Sequence, residues 1–401
     1  MKYSMLFGCL TAAFALTAAA ADDGRSIKTV FVIAMENHNW TQPANQFSGP
    51  IQQIFQNPNA PYINSLVNGT NVASKQVAYA ANYHNVLATA SGDNPHIHPS
   101  EPNYLWAEAG FNFNIFNDAD PFAPQGGPTQ NSVNALDNQL HLVRLLTQGG
   151  RTWRSYQEDT DLTTVAGKLT NVVLPKNQWT VPLTSFSGNF ATGVNQFNGS
   201  TQFNYAAKHN PQVFFTDSNG GDDPTPANPL SHNYAPLQQL FVDLANNTVA
   251  DYNWITPNQY NDMHTALTGG FLGLTGDAAN IRQGDNFASI VIPAIMASRA
   301  YQDHGAIILW WDESEEDAVN DNPDDLNHTV GEVVISPLAH PNVNGRPFAG
   351  SVFLSHSSDL RTMQEIFHVT RPLFLGDAVN ADDLSSLFAA GAIPRDDRDD
   401  D

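Results

Sequence analysis

Five short runs of almost uninterrupted apolar residues, 29–35, 212–216, 252–256, 306–311 and 330–336, set the tightest limit on the fold. A strand with one wet face alternates polar and apolar residues, whereas a run without alternation is covered on both faces. Segments 136–146, 237–245, 287–301 and 360–367 instead repeat apolar residues at spacings of three and four, which is the stripe of a helix lying on a surface. Strands that need cover on both faces, alternating with such helices, assemble as a mostly parallel central sheet between two helical layers: a three-layer α/β architecture. No internal repeat or long linker divides the chain, so one domain is expected. Polar insertions rich in Gly, Pro and Asn at 117–131, 185–203 and 220–233 are either surface decoration or the walls of a binding site.

The two ends differ from this body. Lys2 precedes an apolar run, 5–20, that closes on small residues before Asp22, so residues 1–21 have the form of a secretory signal peptide. The expected destination is therefore secretion, extracellular or periplasmic. The run is short and Ala-rich for a membrane anchor, and no later segment offers about 18 uninterrupted apolar residues. Cys9, the only cysteine, lies inside this leader. The exported chain then has no disulfide and must rely on a large core, a bound metal or both. Residues 22–394 are read as the folded domain and 395–401 as an acidic, disordered tail. The net charge of −23 mainly favours solubility, and it opposes general attraction to nucleic acid or anionic lipid. Sequons at Asn39, Asn68, Asn198, Asn246 and Asn327 matter only if secretion passes through a glycosylating pathway.

Ligands of a parallel sheet with crossover helices gather outside the carboxyl ends of its strands. After the first run stand Glu36 and Asn37, two oxygen donors for a hard cation and also common turn residues. After the fourth stand Asp312 and Glu313, adjacent carboxylates that need a cation, a protonated partner or free exposure to water. After the third, Asp262 and His264 can converge on one centre, as ligands or with Asp262 orienting the imidazole. Ser100 lies between Pro99 and Pro102 and follows His96 and His98. A hydroxyl constrained in this way beside a metal ion can be deprotonated at neutral pH. His328 precedes the last run, and His356 stands in a Ser-His-Ser-Ser-Asp segment where a helix begins, an end that attracts phosphate. Each of these residues, taken singly, also has an ordinary structural reading.

Taken in order, the segments VFVIAMENHNW, HIHPSEPNYL, WITPNQYNDMH, IILWWDESE, NHTVGEVVISPLAH and LSHSSDLRTMQEIF resemble the phosphoesterase family of bacterial phospholipases C and secreted acid phosphatases, a branch of the alkaline phosphatase superfamily. The resemblance runs from Lys28 to Val369. It implies an alkaline phosphatase-like sheet, with Glu36, Asn37, Asp312 and Glu313 as metal ligands and Ser100 as nucleophile and metal contact. It further implies His98, Asp262 and His328 on the substrate side, and His264 or His356 as the group that protonates the leaving oxygen. The implied reaction passes through a phosphoserine that water then hydrolyses. Two departures bear on substrate rather than chemistry. His38, Asn39 and Trp40 follow the Glu-Asn pair where many members have Arg or Ser, and the segment 314–327 is acidic where members carry a short Gly-containing turn.

The expected function is a secreted, metal-dependent phosphoester hydrolase, an acid phosphatase for small soluble monoesters. The alternative is a phospholipase C cleaving phosphatidylcholine-type lipids, the one case with a membrane partner; nucleic acid is not expected. Oxygen-rich ligation suits Ca²⁺, Mg²⁺ or Mn²⁺, the nearby histidines also admit Zn²⁺ or iron, and the ligands set neither identity nor number. Two rivals are a glycosidase using Asp312 or Glu313 with a second carboxylate, which needs no metal, and a binding protein using the Asn-rich loops.

Overall fold

The computed structural model describes residues 25–41, 53–85, 98–121, 134–314 and 329–394. The leader, the acidic tail, His96, Asn327 and His328 lie outside the described residues. An eight-stranded sheet forms the centre. Its strands in chain order are β1 (Thr29–Met35), β2 (Val77–Ala80), β3 (Trp153–Gln157), β4 (Tyr234–Pro236), β5 (Tyr252–Thr256), β6 (Gly305–Trp311), β7 (Glu332–Ile335) and β8 (Phe348–Gly350). From edge to edge they lie β4-β3-β5-β1-β6-β7-β2-β8. The first five of that order are mutually parallel, β7 runs antiparallel to both β6 and β2, and β8 is parallel to β2. β1 thus sits between β5 and β6, in a register that sets Met35 beside Trp311. This neighbourhood brings three strand ends, and the motifs that follow them, to one place.

Among the described residues, six helices of seven or more residues cover the sheet: α1 (Pro61–Val67), α2 (Ser100–Ala109), α3 (Leu142–Gln148), α4 (Gln238–Asn246), α5 (Asp277–Met296) and α6 (His356–Ile366). α1 and α4 pack on α5, while α2, α3 and α6 pack together. Successive strand side chains point to opposite faces, and β6 shows the consequence. Trp310 meets Tyr104 of α2 and His356 of α6, whereas Trp311 meets Trp40 on the other side. Every residue of β6, and all of β1 except Thr29, is buried. Each such Val, Ile, Leu or Phe side chain contributes roughly 1.5–3 kcal/mol. Gly284 lets α5 lie directly on the strand ends, because a Cβ there would stand 2.3 Å from Met263 Cγ and 2.7 Å from Met35 Cε.

The three-layer α/β arrangement expected from the apolar runs is the one the chain adopts. One run departs from it. Residues 212–216 form no strand: Pro211–Phe214 is a 3₁₀ turn, followed by the single helical turn Thr216–Asn219. A short buried apolar run suits either structure, and Pro211 favours the helical start. The run 330–336 is split at Gly331. Thr329–Val330 pairs with Asn39–Thr41, and a Cβ on Gly331 would lie 2.3 Å from the Trp311 ring. β3 had no apolar signature because it carries Ser155 and Gln157 into the interior, where Gln157 Nε2 donates to Ser155 Oγ at 2.9 Å and to Thr256 Oγ1 at 3.0 Å. The insertion 185–203 holds part of a two-stranded ribbon, Phe186–Asn189 against Gln202–Tyr205. Among the described residues no helix is long and apolar enough to cross a membrane.

Candidate active site

The site begins where β1 ends. Glu36 N donates to the Asp262 carbonyl at 2.8 Å and Asp312 N to the Met35 carbonyl at 3.2 Å, so the segments leaving β5 and β6 are tied to the end of β1. Asn37 turns the chain with φ 40°, a left-handed conformation that Asn tolerates better than most residues. Its N–H donates to Asp312 Oδ1 at 3.1 Å and its Nδ2 to Glu313 Oε1 at 2.8 Å. Glu313 Oε2 accepts from Asn103 Nδ2 at 3.0 Å and lies 3.1 Å from His98 Nδ1.

Ser100 is the first residue of α2 and is buried. Its Oγ donates to Glu36 Oε2 at 2.9 Å and stands 3.5 Å from Glu313 Oε1. Four residues on, Tyr104 OH donates to the other oxygen of Glu36 at 2.6 Å, so one face of α2 holds the carboxylate at both ends. Asp118 accepts from Glu101 N at 3.1 Å in the first turn of α2 and pairs with Lys208 Nζ at 2.8 Å. Asn37, His98, Pro99, Ser100, Asp118, Lys208, His264 and Glu313 together line a cavity of about 490 Å³.

Beneath this cavity several buried polar groups have no hydrogen-bond partner among the described residues. Burial, and then the charge of Asp312, push the Glu36 carboxyl well above the usual range. Burial and Glu36 do the same to Asp262, and burial and Glu313 to Asp312. His209 Nε2 lies 3.0 Å from Glu36 Oε1 and its Nδ1 3.3 Å from Asp262 Oδ2, yet neither nitrogen has hydrogen-bond geometry. Asp312 Oδ2, Asp262 Oδ2 and Asn37 Oδ1 are likewise buried without a partner among the described residues. One ligand atom each from Glu36, His209 and Asp262 fall within 4.8 Å of one another. Orphaned buried acceptors cost about 1–3 kcal/mol each, and a divalent cation satisfies several at once. This buried cluster can hold a metal ion.

The model of the phosphoesterase family matches residues 17–370. The chain belongs to the phosphoesterase family. A probable acid phosphatase of Kluyveromyces lactis is 28% identical over 171 residues, which are 42% of this phosphoesterase and 30% of that protein. The chain therefore spans about a third of the length of that relative. Among solved structures, the lipoteichoic acid synthase LtaP of Listeria monocytogenes is 9% identical over 89% of this chain and 77% of its own, with a TM-score of 0.45. Murine ectonucleotide pyrophosphatase/phosphodiesterase 5 in complex with AMP is 9% identical over 88% of this chain and 99% of its own, with a TM-score of 0.42.

The phosphoesterase brings Glu36, Asn37, Ser100, Asp312, Glu313, His98 and His264 together in space. Two expected positions differ. Asp262 lies below the cavity beside Glu36 and His209 rather than on its wall. His356 does not face the leaving-group side: it is buried behind Asp312, whose main-chain carbonyl is 2.5 Å from its Nε2. Burial holds this imidazole down at about 3, and its bond to the Asp312 carbonyl keeps it off the cavity wall. Burial, reinforced by Lys208, lowers His264 to about 4. His38 does not reach substrate either; it is buried, with Nε2 2.9 Å from Asp277 Oδ1.

Sequence reasoning missed Lys208, His209, Asn103 and Tyr104. Asn103 and Tyr104 lie one helical turn beyond Ser100, so an α-helix starting at Ser100 would have placed them on its face. Lys208-His209 is a basic pair in a chain with only 17 Lys and Arg, separated by two residues from the run 212–216. A second cavity, lined in part by Asp161, Thr180 and Phe186, carries no comparable chemistry, since both oxygens of Asp161 accept from Thr180.

Proposed function

We propose that this phosphoesterase is a secreted, metal-dependent acid phosphatase that hydrolyses small phosphomonoesters through a phosphoserine on Ser100. The observation that carries the reading is the placement of the Ser100 hydroxyl. It opens α2 on the cavity wall, 2.9 Å from Glu36, beside Asn37, Glu313, His264 and Lys208. Donating its proton to Glu36 leaves the oxygen lone pairs free for phosphorus. Bond formation from Oγ to phosphorus, with departure of the alcohol oxygen, leaves the phosphoryl group on Ser100; water then cleaves that ester and restores the hydroxyl.

A divalent cation held by Glu36, Asn37, Asp312, Glu313 and Ser100, with His209 and Asp262 on the far side of Glu36, would neutralise phosphoryl charge and favour the serine alkoxide. Lys208 adds a fixed positive charge on the cavity wall, and burial notwithstanding, Glu36 and Asp118 keep its pKa raised. A phosphomonoester carries more negative charge than a diester, so this lysine favours the monoester. His98 and His264 stand on the same wall to bind the phosphoryl oxygens and the departing alcohol. The form of residues 1–21, a short apolar run closing on small residues, supports export.

The test is a substrate panel of p-nitrophenyl phosphate, bis-p-nitrophenyl phosphate and phosphatidylcholine vesicles, with metal analysis of the purified protein. Monoester turnover should dominate, disappear on chelation and return with one of Ca²⁺, Mg²⁺, Mn²⁺ or Zn²⁺. Ser100→Ala should lower kcat by roughly 10⁴-fold or more while the protein remains folded. A clear preference for phosphatidylcholine would replace the phosphatase with a phospholipase C. Undiminished turnover in Ser100→Ala would remove the nucleophile.

A further inference from the structure

Behind Asp312, on the side away from the cavity, lies a buried polar chain that the reaction does not use. His356 Nε2 is 2.5 Å from the Asp312 carbonyl oxygen. Its Nδ1 lies 3.0 Å from Trp310 Nε1 and 2.7 Å from Tyr83 OH. An indole N–H can only donate and a carbonyl can only accept, which leaves one tautomer. Nδ1 receives the hydrogen bond and the Nε2 proton is donated to Asp312. Tyr83 OH has one proton, which it donates to Nδ1, so the very short hydrogen bond between Tyr83 and Asp359 carries the proton of the carboxyl, and Glu332, wholly buried, stands beside Asp359. Burial raises both carboxyl groups, Asp359 to about 7, so the far end of the chain retains a proton near neutrality.

The consequence for the site lies in the peptide plane. The Asp312 N–H is fixed to Met35 at the end of β1, and Asn37 N fixes its Oδ1. The Asp312 carbonyl sets the direction in which the chain continues to Glu313, and among the described residues the side chain donating to it is His356.

We infer that His356, held by Trp310 and Tyr83 with Asp359 behind them, is a positioning residue that fixes the Asp312-Glu313 peptide and so presents both carboxylates to the cation. This rests on the reading of Asp312 and Glu313 as cation ligands. Groups that orient metal ligands in this way typically change affinity by about 10–100-fold when removed.

The experiment is calorimetric titration of the metal-free full-length protein with Mn²⁺, with Ca²⁺, Mg²⁺ and Zn²⁺ in parallel. Wild type is compared with His356→Ala, His356→Gln and Tyr83→Phe, each checked for folding by circular dichroism. His356→Ala should weaken cation binding about 10–100-fold. His356→Gln, whose amide can accept from Trp310 and donate to Asp312, should recover to within about threefold of wild type, and Tyr83→Phe should fall between. Folded His356→Ala with wild-type affinity, or a Gln variant as weak as Ala, would overturn the inference. If His356→Ala does not fold, Tyr83→Phe decides: weaker binding supports the positioning role and unchanged binding overturns it. A wild-type protein that binds none of the four cations fails at the earlier step, the cation reading itself, and the two failures are thereby separated.

Discussion

Replacing Asp312 by Asn should make the metal-free protein more stable and the metal-loaded protein less so. Asp312 is fully buried, one oxygen accepts from Asn37 N at 3.1 Å, and the other has no partner among the described residues. Burial and Glu313 raise its pKa. The sign follows directly: a carboxyl whose folded pKa lies above its unfolded value contributes stability below the unfolded value and loses it as pH rises through the folded one. At neutral pH the group is therefore a burden. Asn keeps the acceptor for Asn37, removes the charge and replaces the orphaned oxygen with a donor facing carboxylates. The gain in the metal-free state should be about 1–3 kcal/mol, the cost of one unsatisfied buried polar group. A cation at 100 times its Kd should stabilise wild type by about 2.7 kcal/mol. At roughly 2 °C per kcal/mol for a large domain, the variant should melt about 2–6 °C above wild type in chelator. Added cation should raise wild type by about 5 °C and the variant hardly at all. Differential scanning calorimetry with chelator and with cation reads both shifts. A variant less stable in chelator, or one with the full cation-induced rise, would refute the reasoning.

Two further outcomes follow from particular contacts. Lys208→Gln should lower kcat/KM for a phosphomonoester by about 10–100-fold and for a diester much less, and equal losses in parallel assays would deny Lys208 a role in discrimination. His141 is a buried imidazole stacked on Phe215, 2.8 Å from both Glu108 and Asp217. Although burial acts against it, bonding to Asp217 and Glu108 raises its pKa. Its contribution is thus full below about pH 6.5 and is lost as pH rises through the folded value. Urea unfolding of His141→Gln should show a deficit of about 3–5 kcal/mol at about pH 6 that shrinks in the alkaline range; a deficit that grew with pH would contradict the sign.

Much of this protein is legible in its sequence because strand periodicity and adjacent polar residues are local properties. The runs ending at Met35, Thr256 and Trp311 announce buried strands, and Glu36-Asn37 and Asp312-Glu313 announce their chemistry at those ends. Ser100 is visible for the same reason, from the prolines on either side of it. Lys208 and His209 were not legible. Nothing near them in sequence shows that a short turn brings His209 to Glu36 just past the end of β1, and the apolar run after them looks equally like a strand. His356 was legible as a histidine at a helix start but not in its direction, which depends on Trp310 and Tyr83 reaching it from two other strands. The sequence by itself therefore determined which groups stand at the carboxyl ends of buried strands. Only tertiary structure decided that β5, β1 and β6 are neighbours, and so which of those groups share one buried site and which lie behind it. Hydrogen bonds between strands and packing across the sheet set that order, and both join residues far apart in the chain.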